Sequence, residues 1–139
     1  MDPAAPLVAV VDDEENMRVA LRRLLRLHGF RVETFATGGA LIHDARVRGF
    51  HAVVLDLHMP GMDGFEVLET LSADPAGPPV VVITGRDDEG NAAKAREWGA
   101  VAYFVKPVEA AALVEILRRP PARGMACNHR SIPAAGADG

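Results

Sequence analysis

Hydrophobic positions gather in four short runs, residues 7–11, 52–55, 80–83 and 103–105, each too short for a helix and rich in β-branched or aromatic side chains. They read as buried strands. A further segment, 31–35, sets Val32 and Thr34 against Arg31, Glu33 and Phe35, the alternation of an edge strand. Helical periodicity fills the gaps, so strands and helices alternate. That order favours a parallel sheet covered on both faces.

The first helix is predicted from Glu14 or Glu15 to His28, with Met17, Ala20, Leu21, Leu24 and Leu27 or His28 on its apolar face and Gly29 ending it. Arg18, Arg22, Arg23 and Arg26 then lie away from that face. Thr37 caps a second helix running to about Val47, weakened by Gly38 and Gly39. Residues 58–64, His-Met-Pro-Gly-Met-Asp-Gly, form a turn, and a third helix covers about 65–72. The fourth helix, about 88–98, contains Gly90 and Asn91 and presents mostly alanine, which makes it weak and a candidate moving part.

Composition adds limits. The 139 residues are 49% hydrophobic, enough for one domain with a full core. The apolar runs are far below the roughly 18 residues that span a bilayer, and the start, Met-Asp-Pro-Ala-Ala-Pro, lacks the basic and apolar regions of a signal peptide. A cytoplasmic location is the expectation, with no membrane contact. The single cysteine, Cys127, excludes an internal disulfide and a cysteine-based zinc site. Residues 1–117 carry 11 basic against 18 acidic side chains, so this acidic body is not expected to bind nucleic acid directly. Residues 118–139 reverse the balance, 4 against 1, and their proline, glycine and alanine content reads as a linker or disordered tail.

The chemistry lies at the strand ends. Asp12 and Asp13 follow the first run, Asp56 the third strand, Thr84 the next and Lys106-Pro107 the last. In open parallel sheets ligands bind outside the carboxyl ends of the strands, where these residues fall. Three carboxylates brought together repel one another and call for a cation; Mg2+ suits an all-oxygen set and takes one or two carboxylates directly. Lys106 contributes a fixed positive charge and Thr84 a hydroxyl, and together the set describes a site for a phosphoryl group.

Residues Val-Val-Asp12-Asp13-Glu14, Val-Leu-Asp56-Leu-His-Met-Pro-Gly-Met-Asp-Gly64, Val-Ile-Thr84-Gly85 and Tyr103-Phe-Val-Lys106-Pro107 closely resemble the receiver domain of two-component response regulators. The resemblance covers about residues 6–119 and leaves 120–139 as a flexible tail. It implies an α/β, flavodoxin-like, doubly wound sheet of five parallel strands in the order 2-1-3-4-5. It implies that Asp56 is the phosphoacceptor. Asp13, Asp56 and the backbone carbonyl of His58 would hold Mg2+ (or Mn2+), with Asp12 helping through water. Lys106 would bind the phosphoryl oxygens, Thr84 and Tyr103 would switch, and Pro107 would follow a cis bond.

The implied partners are a sensor histidine kinase or histidine phosphotransfer protein, with a phosphorylation-dependent homodimer or a downstream protein as output. The implied role is that of a signalling domain that assists its own phosphotransfer and dephosphorylation, rather than of an enzyme acting on free substrates. The arginine face of the first helix is the docking candidate. His58 and Arg86, each two residues past a site residue, are candidates for tuning phosphoryl lifetime. The spacing is most similar to receivers of helix-turn-helix transcription factors. A haloacid dehalogenase type of Mg2+-dependent phosphohydrolase also uses a strand-end aspartate, but wants a second acid where this chain has His58. A flavin-phosphate site would be repelled by residues 12–15, all acidic.

Overall fold

The computed structural model describes residues 4–59, 62–86 and 88–121. Pro60 and Gly61 of the predicted turn, Cys127 and nearly all of the predicted tail lie outside the described residues.

Five strands, β1 (Leu7–Val11), β2 (Arg31–Phe35), β3 (Ala52–Asp56), β4 (Val80–Thr84) and β5 (Ala100–Val105), pair in parallel in the order β2-β1-β3-β4-β5. The expected order 2-1-3-4-5 is therefore the observed one. Strand alternation splits the core in two. Val8, Val10, Val54 and Ile83 face the layer made by α1 (Glu15–Leu27) and α5 (Ala110–Arg118), where Leu21, Leu25, Leu113 and Leu117 are buried. Ala9, Val11, Val53, Leu55 and Tyr103 face the opposite layer of α2 (Gly38–Ile42), α3 (Gly64–Ala73) and α4 (Asn91–Glu97). With both faces covered, β1 can be apolar throughout and β3 and β4 apolar up to their last residues, Asp56 and Thr84.

Several local expectations change. The core-facing stripe of α1 is the partly buried Met17 with the buried Leu21 and Leu25, while Ala20 is exposed and Leu27 is 85% exposed. The adjacent Leu24 and Leu25 allow two stripes, and contact with the sheet selects the one at four-residue spacing. Helix α2 stops at Ile42 rather than near Val47 because Asp44 Oδ1 accepts from the Arg46 N–H at 2.8 Å, a local turn that competes with helix. Thr37 does cap it, accepting from the Ala40 N–H at 3.1 Å. Helix α4 begins only at Asn91, and Gly90 is its left-handed entry at φ 86° instead of an interior weakness. Strand β5 begins three residues before Tyr103, since Ala100, Val101 and Ala102 are small enough to be buried in it.

Two arrangements fix the start and flank of α3. The predicted turn after β3 carries a short antiparallel pair, His58–Met59 with Met62–Asp63, leading directly into α3. Helix α4 is held to α3 by Lys94, whose ammonium lies 4.2 Å from the Phe65 ring centre and 5.0 Å from that of Trp98.

Candidate functional site

The carboxyl ends of β1, β3, β4 and β5 bring Asp12, Asp13, Asp56, Thr84 and Lys106 to one edge of the sheet, as the strand-end pattern predicts. A cleft of about 310 Å³ opens there, lined also by Glu14, His58, Gly85 and Arg86.

Asp12 is fully buried and thoroughly engaged. Its Oδ1 accepts from the Glu14 N–H at 2.9 Å, its Oδ2 lies 3.3 Å from Lys106 Nζ, and its backbone carbonyl accepts from Arg18 Nη1 at 2.7 Å. Asp13, next along the turn, is exposed. Asp56 is 4% exposed; its Oδ1 accepts from the His58 N–H at 3.1 Å and its Oδ2 lies 3.5 Å from the same lysine. One ammonium thus serves two buried carboxylates. Burial pushes the Asp56 carboxyl above the usual aspartate range, the His58 amide opposes that rise, and the charge on Asp12 adds to it.

Oxygens of Asp12, Asp13 and Asp56 come within 4.8 Å of one another. Lys106 cannot neutralise all three. The donor set is carboxylate throughout, which fits a hard divalent cation such as Mg2+ and does not fit zinc.

Thr84 is fully buried, and its hydroxyl donates to the Arg86 carbonyl at 2.9 Å while accepting from the Arg86 N–H at 3.0 Å. It therefore closes the turn after β4. The Lys106 N–H donates to the Thr84 carbonyl at 2.7 Å, tying the ends of β4 and β5 together, and the Lys106-Pro107 bond is cis. Tyr103 is fully buried beneath α4, in register with Val82. His58 and Arg86 stand exposed at the cleft mouth, where Arg86 Nη2 pairs with Asp88 Oδ2 at 3.3 Å.

Two residues shape the site in ways the sequence did not assign to them. Arg18 turns back onto Asp12 and leaves the arginine face, which is then the exposed Arg23 and Arg26 with the half-buried Arg22. Gly64 packs on the backbone of Leu57, between Asp56 and His58; a Cβ there would stand 2.6 Å from Leu57 Cα. A glycine opening a helix was the only available signal, and it reads equally well as turn chemistry.

The chain is similar to known proteins over this whole unit. Residues 8–118 match the response regulator receiver domain family. The transcriptional regulatory protein PrrA of Mycobacterium tuberculosis is 38% identical over 110 residues, 79% of this chain and 47% of PrrA. DctD of Pseudomonas aeruginosa, a C4-dicarboxylate transport transcriptional regulatory protein, is 37% identical over 125 residues, 86% of this chain and 27% of DctD. The chain thus spans less than half the length of these relatives. Among solved structures, the beryllofluoride-activated receiver domain of DrrB superposes with a TM-score of 0.74 at 30% identity, covering 83% of this chain and 96% of that one. Nothing in these matches supports the haloacid dehalogenase alternative, whose second acid is His58 here. By sheet order and by sequence alike, the chain belongs to the receiver domain family of two-component response regulators.

Proposed function

We propose that Asp56 takes the phosphoryl group from a phosphohistidine of a sensor kinase or histidine phosphotransfer protein, with residues 6–119 forming the working unit. The observation that carries this reading is Lys106 Nζ, 3.3 Å from Asp12 Oδ2 and 3.5 Å from Asp56 Oδ2 in a cleft that Asp13 and Glu14 also line. Receiver domains bind Mg2+ at an acidic pocket. In this chain Asp13, Asp56 and the His58 carbonyl would hold it, and Asp12, with both oxygens already engaged, would act through water. Bound there, Mg2+ (or Mn2+) would neutralise charge on a transferring phosphoryl group.

The protein's own residues supply the rest. Asp56 is the nucleophile; its Oδ1 is held by the His58 amide, which orients the carboxylate. Lys106 offsets the charge on the phosphoryl oxygens in a partly water-excluded cleft. A phosphorylated Asp56 adds about two negative charges and new acceptor oxygens. Thr84 would then exchange its bond to the Arg86 carbonyl for one to the phosphoryl group, freeing the turn that leads to α4. Tyr103, under α4, would follow, so that the surface of α4, β5 and α5 reports the state through a homodimer or a downstream protein.

The exposed arginines of α1 would dock the donor, and a cytoplasmic location accompanies this reading.

Incubation with a small phosphoramidate and Mg2+, followed by intact-mass measurement, tests the assignment. A hydroxylamine-labile phosphoryl adduct is expected on the natural chain and absent from Asp56→Asn. An adduct that survives that substitution would overturn it.

A further inference from the structure

Arg18 lies in the first turns of α1 and is half-buried, unlike the exposed Arg23 and Arg26. Its Nη1 donates to the Asp12 carbonyl at 2.7 Å, and its backbone N–H donates to the Glu14 carbonyl at 3.1 Å. The guanidinium therefore holds the start of the three-residue turn that carries the acid pair, while its end is held by the backbone bond that opens α1. Within that turn Asp12 Oδ1 accepts from the Glu14 N–H, and the Asp12 N–H donates to the Phe35 carbonyl at 3.1 Å. Glu14, the N-cap of α1, makes no capping bond with its side chain. The guanidinium supplies an anchor from further along the helix.

The choice of acceptor matters. Residues 12–15 are four consecutive acids, and a guanidinium paired with one of those carboxylates would consume a ligand. Arg18 bonds to a main-chain carbonyl instead and leaves the Asp13 carboxylate facing the cleft. Arginine suits the task because its long stem reaches back across the turn and its rigid fork stays charged.

We propose that Arg18 is a positioning residue for the cation site: it locks the turn from Asp12 to Glu14 and so sets where the carboxylates of Asp12 and Asp13 stand relative to Asp56. The inference rests on the reading of Asp13 and Asp56 as cation ligands. It makes a prediction opposite to simple electrostatics. Removing a positive charge beside three carboxylates would by itself tighten Mg2+ binding, whereas losing the anchor loosens it.

Calorimetric titration of the metal-free chain with Mg2+ separates the two. Arg18→Met is expected to weaken binding by roughly 10-fold, the lower end of the effect of removing a partner that orients metal ligands. Arg18→Lys retains the charge and one donor and is expected to recover most of that loss. It also keeps the inference testable if methionine disturbs the fold, since binding by the lysine variant weaker than that of the natural chain but stronger than that of Asp13→Asn is the supporting result. Thermal melts without metal control for folding. If the natural chain binds Mg2+ and both Arg18 variants bind as tightly or more tightly, the positioning role is overturned. If the natural chain itself binds none, the cation reading falls and takes this inference with it.

Discussion

The ammonium of Lys106 lies 3.5 Å from Asp56 Oδ2 while also serving the fully buried Asp12. Replacing Lys106 by methionine strands two buried carboxylates without a counter-charge. A loss of roughly 1–3 kcal/mol in urea unfolding at pH 8 is expected, below the 3–5 typical of a fully buried pair because the lysine is partly exposed and the contacts are long. The deficit should shrink at pH 5, where protonation of Asp56, whose carboxyl burial already raises, relieves part of the stranded charge. Equal deficits at both pH values would refute the pairing. Beryllofluoride binding in the presence of Mg2+ is expected to be lost.

Burial raises the Asp56 carboxyl, so the folded chain holds that proton more tightly than the unfolded chain. The protonated group's contribution to stability is complete below the unfolded value of about 3.9 and is lost as pH rises through the folded value. At neutral pH the ionised side chain therefore opposes folding. Asp56→Asn is expected to raise the metal-free melting temperature by on the order of 4 °C at pH 7.5, and by less at pH 5. Added Mg2+ should narrow the gap by stabilising only the carboxylate form. A melting temperature unchanged or lowered at pH 7.5 would count against a buried, destabilising charge.

Gly64 has no room for a side chain, since a Cβ would stand 2.6 Å from Leu57 Cα and 2.8 Å from its carbonyl carbon. Because backbone must move, Gly64→Ala is expected to cost about 1–3 kcal/mol or more. Gly49→Ala, where a Cβ meets open space, serves as the control and should stay within about 0.5 kcal/mol of the natural chain. Leu57 joins Asp56 to the His58 amide that holds it, so phosphorylation by phosphoramidate should slow in the Gly64 variant alone. Equal urea midpoints for the two variants would show that the close approach does not matter.

His58 and Arg86 flank the cleft mouth, but Arg86 already pairs with Asp88. The histidine is therefore the better placed to shield Asp56 from water. His58→Ala is expected to shorten the phosphoryl half-life by roughly 3-fold or more, and Arg86→Ala to change it less; about 0.7 kcal/mol of barrier corresponds to that factor. Decay of the adduct followed by mass measurement decides it. An unchanged half-life in the double variant would remove both residues from the argument.

The strand segments and the gathering of Asp12, Asp13, Asp56, Thr84 and Lys106 at the strand ends were legible because they rest on local sequence pattern. A short β-branched run ending in a polar residue needs only its own sequence to be read as a buried strand, and four such ends in chain order point to one site. Edge strand β2 was legible for the same reason, through its alternation. The α1 stripe was not, since Leu24 and Leu25 offer two faces of similar hydrophobicity and only the sheet beneath chooses between them. The extent of α2 was not, because the bond between Asp44 and Arg46 ends a helix whose apolar spacing continues.

Sequence by itself determined the alternating parallel architecture, the family and the strand-end set of acid pair, acid, hydroxyl and lysine. Tertiary structure alone decided which charges share a partner, that Thr84 closes its own turn, and that Arg18 is an anchor for Asp12 rather than a solvated cation. The physical reason is range. Hydrophobic period and turn chemistry act over a few residues and are written along the chain. The contacts of Lys106 with Asp12, 94 residues away, exist only after the sheet has brought the strand ends together.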